Sequence, residues 1–196
     1  MNEIDKILSA KSNKLPPHQG RLLISEPFLR DLFFKRSVVL LADHDSDGSF
    51  GLILNKPVEF RLNEVIQNFP QFDVPVFMGG PLNTESIFFI HTYGESISQS
   101  YEILPGLYWG GDINDVRKLI ELKQLPKDSI KFFLGYAGWG ARQLEEELQH
   151  NSWIITDTRP SEIMLKSPAN LWPSIVKSLG KEFEIWTRFP SDPQMN

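Results

Sequence analysis

Two periods run through the hydrophobic positions of this chain. Short apolar runs bounded by turn residues read as strands: "RLLIS" (21–25), "SVVLLADH" (37–44) and "SFGLILNKP" (49–57). The polar "DHDSDG" between the second and third makes them a hairpin. "VPVFMGGP" (74–81) and "SIFFIHT" (86–92) add two strands around Gly79-Gly80-Pro81; further strands are predicted over 130–136 and at "SWIIT" (152–156). The helical period appears in "RLNEVIQNF", where Leu62, Val65, Ile66 and Phe69 share one face. It recurs in "GGDINDVRKLIELKQLP", with Asp112 or Asn114 as N-cap, Val116, Leu119, Ile120 and Lys123 on one face, and Pro126 beyond the end. Residues 141–150 and "NLWPSIVKSLG", with Pro173 near its first turn and Gly180 as stop, complete the helices.

Strands mixed with helices throughout, hairpins included, predict an α/β chain built on a mixed sheet. The polar residues 1–19, ending in Pro16-Pro17, read as a flexible N-terminal arm, which leaves 20–196 as a single compact domain. At 196 residues the chain is long enough to bury a core without staples.

Charge narrows the partners. The net charge is −5 and no run of Lys and Arg stands out, whereas a duplex-DNA binder needs a basic face to neutralise phosphates. No direct nucleic-acid contact is expected. The first residues hold no apolar core of signal-peptide length and no later run has membrane-spanning length, so the expectation is a cytoplasmic protein without a membrane contact. The chain has no cysteine, which excludes disulfides and a cysteine nucleophile.

Several motifs come close to chemistry and stop short of it. "FLGYAGWGARQLEEEL" (133–148) sets glycines between a strand and a helix, where phosphate is often cradled. A P-loop needs Lys and Ser or Thr where Ala141-Arg142 stand, and the dinucleotide pattern needs glycine at Gln143. The stretch is better read as a tight turn at Gly138 and Gly140, with Ala141, Leu144 and Leu148 on a buried helix face. Trp139, a large indole between glycines, is a core plug or a pocket wall. Asp43, Asp45, Asp47 and Gly48 imitate the start of a calcium loop, but its twelfth position is Leu54 in place of a bidentate Glu. The four histidines, His18, His44, His91 and His150, have no metal-ligand spacing, and no G-x-S-x-G is present. A capping or packing role is expected for His44, and a solvated helix face for Glu145, Glu146 and Glu147.

Taken in order, Arg36-Ser37-Val38, then His44, Gly48 and Gly51, Asn55-Lys56-Pro57, Gly79-Gly80-Pro81, and Gly135 to Trp139 with Gln143-Leu144-Glu145, resemble the YqgE/AlgH family of small bacterial proteins. The resemblance covers about residues 20–180. It implies a layered sandwich of helices around the mixed sheet, carries the label of a transcriptional regulator, and brings no catalytic residue, metal or cofactor to this chain. The expectation is a non-enzymatic regulatory or protein-interaction role, acting indirectly on transcription. The alternative is a small-molecule-binding protein or enzyme with a pocket built from the glycine-rich turns; direct DNA binding comes third. Candidate residues for a ligand or partner are His44, Asn55, Gly79, Gly80, Tyr136, Trp139 and Gln143. A deep pocket lined by their polar groups favours a small ligand; the same groups taken up by backbone caps favour a partner protein.

Overall fold

In the computed structural model, which describes residues 15–29 and 31–189, the organising strand is β9 (Ile130–Gly140). Before it come β1 (Leu22–Ser25), β2 (Val38–Asp45), β3 (Gly48–Ile53), β4 (Pro57–Val58), β5 (Val76–Met78), β6 (Leu82–His91), β7 (Ser100–Leu104) and β8 (Leu107–Gly110); β10 (Trp153–Thr156) follows it. The helices are α1 (Leu62–Val65), α2 (Ile113–Glu121), α3 (Gln143–Gln149), α4 (Pro160–Leu165), α5 (Pro168–Ser178) and α6 (Lys181–Glu184). The strand order is β10-β1-β2-β3-β9-β6-β8-β7. All pairings are antiparallel except that of β5 with β9, so the sheet is mixed and carries hairpins, as the pattern predicted. Residues 1–14 of the predicted arm lie outside the described residues. Gln19 Nε2 donates to Glu102 O at 2.9 Å and Gly20 N to Leu41 O at 2.8 Å, which seats the chain entering β1.

Beside β9, one edge is shared in turn by two partners. Residues 137–140 pair with β3, while Phe132–Leu134 pair in parallel with β5. β5 therefore wedges between β9 and the continuation of β3 into β4, with which it also pairs. At the point of the wedge Gly79 N donates to Leu134 O and Gly79 O accepts from Ile53 N, both at 2.8 Å. A Cβ on Gly79 would sit 2.2 Å from Gly135 O, and one on Gly80 would sit 2.1 Å from the Tyr136 carbonyl carbon. Two backbones touch here because neither carries a side chain at the contact.

Gly135, at φ +67, shifts the alternation of β9 by one residue. Before it Phe133 belongs to the cluster under α4 to α6, with Leu40, Leu52, Phe77 and Trp172, and Phe132 to the cluster under α2. After it Tyr136 packs on the first cluster and Ala137 and Trp139 face α3. In β1 and β2 alternate residues feed opposite clusters, Leu22 and Leu40 one, Leu23 and Val39 the other. Burial on both faces explains the unbroken apolar run at 38–42.

The sheet also curls. Phe50 on β3 and Trp109 on β8 stand three strands apart, yet their ring centroids are 4.9 Å apart; a flat sheet at about 4.8 Å per strand would hold them far out of contact. A Cβ on Gly20 would meet Ile103 O at 3.0 Å, so the β7 edge closes on the chain leading into β1.

Some elements differ from the sequence pattern. The helix expected over 61–69 is one turn, because Ile66 is already extended at φ −109 and ψ 113 and Asn68 then takes φ +55, although Leu62 and Phe69 still share a cluster. The β7–β8 hairpin, turning at Gly106 with φ +82, and α4 lie where no element was predicted. The last long helix starts earlier, at Pro168, which places Pro173 inside it. Asp112 is the N-cap of α2, its carboxylate accepting from Asn114 N at 2.8 Å.

His91 is fully buried and neutral. Its Nδ1 accepts from Tyr93 N at 3.2 Å, which puts the proton on Nε2, 2.9 Å from Ser100 Oγ and 3.2 Å from Gly110 O. Burial lowers its proton affinity, with the Gly110 carbonyl opposing.

Two outcomes follow from this packing. Gly80→Ala forces backbone apart and should cost about 3 kcal/mol or more, whereas Gly106→Ala, with nothing within 4 Å, should cost about 1 kcal/mol from its left-handed φ alone; urea midpoints that rank the two equally would contradict the wedge. For His91, the unfolded chain takes up the proton first as pH falls below about 6.5. Stability is therefore full above that pH and declines toward acid. His91→Gln should flatten that decline relative to the parent in melting curves between about pH 6.5 and pH 5.

Candidate functional site

The hairpin between β2 and β3 is a carboxylate-rich turn. Asp45 Oδ1 accepts from Asp47 N at 2.8 Å and from Gly48 N at 3.2 Å, an Asx arrangement that closes the turn. Leu54, at the position where a calcium loop needs its last carboxylate, is buried in the core. Among the described residues no group of three or more His, Asp or Glu could hold a metal ion.

Beyond the turn, Gly48 pairs with Gly140 and Phe50 with Gly138. A Cβ on Gly138 would meet Leu82 Cδ1 at 2.8 Å and the Tyr136 ring at 3.2 Å. These glycines leave an open cavity of about 470 Å³, lined by Asp43, Asp45 and Asp47 at its rim and by Phe50 and Tyr136 at its floor; Trp139 borders it from β9 with its indole turned to the other face. Cross-strand partners share a face, so Asp43, opposite Phe50, stands on the cavity side. The floor continues as rings in contact: Tyr136 to Phe50 at 4.9 Å, Phe50 to Trp109 at 4.9 Å, Trp109 to Tyr101 at 5.9 Å. Tyr101, at the outer end, is 64% exposed. A second cavity, about 170 Å³, lies against Arg61, Gln71 and Asp73, away from these rings.

The opposite face is built differently. Trp139 is buried, and its indole N–H donates to Glu147 Oε2 at 2.9 Å. Trp153 Nε1 donates to the same oxygen at 2.7 Å, and Gln143 Nε2 to Glu147 Oε1 at 3.0 Å. One carboxylate on α3 thus joins β9 to β10. Glu147 does not belong to a solvated face, which corrects the expectation for that residue; the spacing along α3 could not reveal two indoles arriving from different strands.

The turn in "FLGYAGWGARQLEEEL" is also elsewhere than expected. β9 runs through Gly140, neither Gly138 nor Gly140 has a positive φ, and the chain turns at Ala141-Arg142, with Arg142 at φ +64. Gly138 and Gly140 stay extended because both are held in the ladder with β3. Gln143 Oε1 caps Gly140 N at 3.0 Å, and Leu144 is buried under the helix.

The candidate residues separate accordingly. Tyr136 lines the cavity with its ring, and Trp139 borders it from β9. His44 lies nearby on the α3 face, its Nδ1 2.8 Å from Ser49 Oγ and its Nε2 3.9 Å from Glu145, beyond hydrogen-bond reach. Asn55 is far along the hairpin, its side chain accepting from Val38 N and donating to Arg36 O, both at 2.9 Å. Gly79 and Gly80 form the wedge contact, and Gln143 is a cap. Phe50, Trp109 and Tyr101 were not singled out in the sequence, since their contact depends on the curl.

Known proteins share this architecture. A family model described as AlgH-like matches residues 22–184. A UPF0301 protein of Bacteroides fragilis is 42% identical over the whole of both chains, and one of Cytophaga hutchinsonii is 40% identical over 91% of this chain and 98% of its own. Among solved structures, protein DIP2367 of Corynebacterium diphtheriae superposes with a TM-score of 0.76 at 20% identity, covering 94% of this chain and 98% of that one. The solution structure of the AlgH protein of Pseudomonas aeruginosa gives 0.71 at 28% identity, over 92% and 98%.

The double acceptor on α3 yields a direct test. Glu147→Ala removes the charged acceptor of two indole N–H groups and should lower stability by about 2–4 kcal/mol, with altered tryptophan fluorescence. Glu146→Ala, on the exposed face beside it, should change the melting temperature little; comparable losses for the two would show that the carboxylate does not join the strands.

Proposed function

The chain belongs to the AlgH-like family, and from that premise we propose that it is a non-enzymatic interaction protein of the cytoplasm, acting on regulation through another protein and not by gripping DNA. The observation that carries this is the aromatic floor running from Tyr136 through Phe50 and Trp109 to Tyr101 beneath the rim of Asp43, Asp45 and Asp47. Aromatic rings with a polar rim are what protein contacts are made of. The surface is long and open, whereas a small ligand is normally enclosed over most of its area. Its carboxylates favour a partner segment that carries Lys or Arg among apolar side chains. The polar groups that would orient a small ligand are otherwise engaged: Asn55 and Gln143 on backbone caps, His44 on Ser49. Net charge −5 speaks against duplex DNA. No helix among the described residues is long and apolar enough to cross a membrane.

The small-molecule enzyme is the second reading, favoured by the Ser49–His44 contact. Glu145, the carboxylate that faces His44 among the described residues, stands 3.9 Å from its Nε2, however, too far to orient the imidazole as a triad does.

A photo-crosslinking residue placed at Tyr101 in cells should capture a defined partner, and the same residue at exposed Leu122 should not. Asp43→Asn with Asp47→Asn should weaken that capture, and added salt should weaken it further. Equal capture at both positions, or capture indifferent to the aspartates, would refute the surface.

A further inference from the structure

The β7–β8 hairpin is joined to the rest of the sheet over a short length. It meets β6 at two residue pairs, Ile90 with Trp109 and His91 with Tyr108. Toward its tip, Ile103 and Leu107 are buried in the core. At its base Ser100 pairs with Gly110, and His91 reaches both: its Nε2 lies 2.9 Å from Ser100 Oγ and 3.2 Å from Gly110 O. Ser100 gives its own hydroxyl proton to Ile97 O at 2.6 Å, so its oxygen accepts from Nε2–H. Nδ1 accepts from Tyr93 N at 3.2 Å, on the segment that leads from β6 into the hairpin. One ring nitrogen must therefore donate and the other must accept. A second proton on the ring would point at the Tyr93 N–H, donor against donor, in a site that is fully buried.

The residues beside the held pair carry the aromatic floor. Tyr101 follows Ser100, Trp109 precedes Gly110, and the two are partners across the hairpin. Trp109 is the ring through which Phe50 connects to Tyr101. Any shift of the hairpin base moves these two rings away from Phe50.

The charges around His91 are engaged with other groups. Tyr108 stacks on the imidazole at 5.7 Å, and its hydroxyl is kept neutral by a hydrogen bond to Glu102, with the charge of Glu95 acting in the same direction. On α2, Asp112 caps Asn114 N, and Asp115 accepts from Ser98 and pairs with Lys118. Lys131 follows Ile130, the β9 partner of His91, but its ammonium lies over the Phe77 ring. Burial lowers the proton affinity of His91, with the Gly110 carbonyl opposing. The closed hairpin thus favours the neutral ring, and an opened one takes up the proton near the ordinary value of about 6.5.

We propose that His91 is an acid-sensitive pin: on gaining a proton it releases the base of the β7–β8 hairpin and takes apart the aromatic floor that Trp109 and Tyr101 complete. The coupling between the ring and the floor stands on the hydrogen bonds alone. Its consequence, that acid detaches a bound protein, rests on the reading of that floor as a partner surface.

The test is a side-chain-resolved NMR titration of the full chain from about pH 7.5 to about pH 5. The ring-nitrogen shifts of His91 report its proton, and the nuclear Overhauser contact between the Phe50 and Trp109 rings reports the floor. That contact should vanish with the midpoint of the His91 titration. The Tyr93 amide should meanwhile open to exchange by up to about tenfold more per pH unit below about 6.5, after correction for the intrinsic rate. His91→Gln, which offers a donor and an acceptor but does not titrate, should keep the ring contact to the lowest pH. If that variant folds poorly, the coincidence of the two midpoints in the parent decides. His18→Gln, beside the Gln19 that bonds Glu102 O, should leave the response unchanged. A ring contact that survives protonation of His91, that is lost at a midpoint of its own, or that is lost equally in His91→Gln would overturn the pin. So would an imidazole that stays neutral throughout. Failure to capture a partner at Tyr101 at neutral pH would count against the surface and leave the pin standing.

Discussion

Where β5 enters between β3 and β9, two stretches of backbone approach more closely than any Cβ would permit. Gly79 and Gly80 lie on one side, Gly135 and Tyr136 on the other. That contact lets β5 take over one edge of β9 from β3, and it places the left-handed Gly135 where the alternation of β9 changes phase. With the phase changed, Tyr136 joins Phe50 on the concave face and Trp139 turns under α3. The aromatic floor and the Trp–Glu147 junction both depend on this one contact of backbone against backbone.

The same strand thus serves two faces in different ways. On one, Trp139 and Trp153 share a single carboxylate, and the indoles pack edge to face at 5.9 Å. The polar atoms there answer one another and bind α3 to the sheet. On the other, glycines at 48, 138 and 140 leave rings uncovered beside aspartates. A face whose hydrogen bonds are complete holds the fold, while one that leaves apolar area beside charge is available for contact. The division explains why residues close in sequence, Tyr136 and Trp139 among them, have different parts to play.

The candidate residues were legible in unequal measure. Tyr136 and Trp139 both stood out as large rings among glycines, yet only the Tyr136 ring lies on the cavity floor, while the Trp139 indole turns under α3. Gly79 and Gly80 stood out as well, but what a glycine pair accommodates, a ligand or another backbone, is settled by what faces it, here Gly135 and Tyr136. Asn55 reads identically whether its amide meets a ligand or bridges Arg36 and Val38. Tyr101 and Trp109 went unremarked because the curl that brings Trp109 against Phe50 is a property of the whole sheet.

By itself the sequence determined the strands from 22 to 53, the capped helix after Asp112, the α/β class and the family, because these rest on local periodicity, turn chemistry and ordered motifs that neighbouring residues carry alone. It also determined the acidic balance and the absence of thiol chemistry. Only the tertiary structure decided that β9 continues to Gly140, that Glu147 lies between two indoles, and that His91 meets Ser100 and Gly110. Each of these depends on groups far apart in the chain meeting at hydrogen-bond or van der Waals distance. The energy of such a meeting lies in the pair, and neither residue announces it alone.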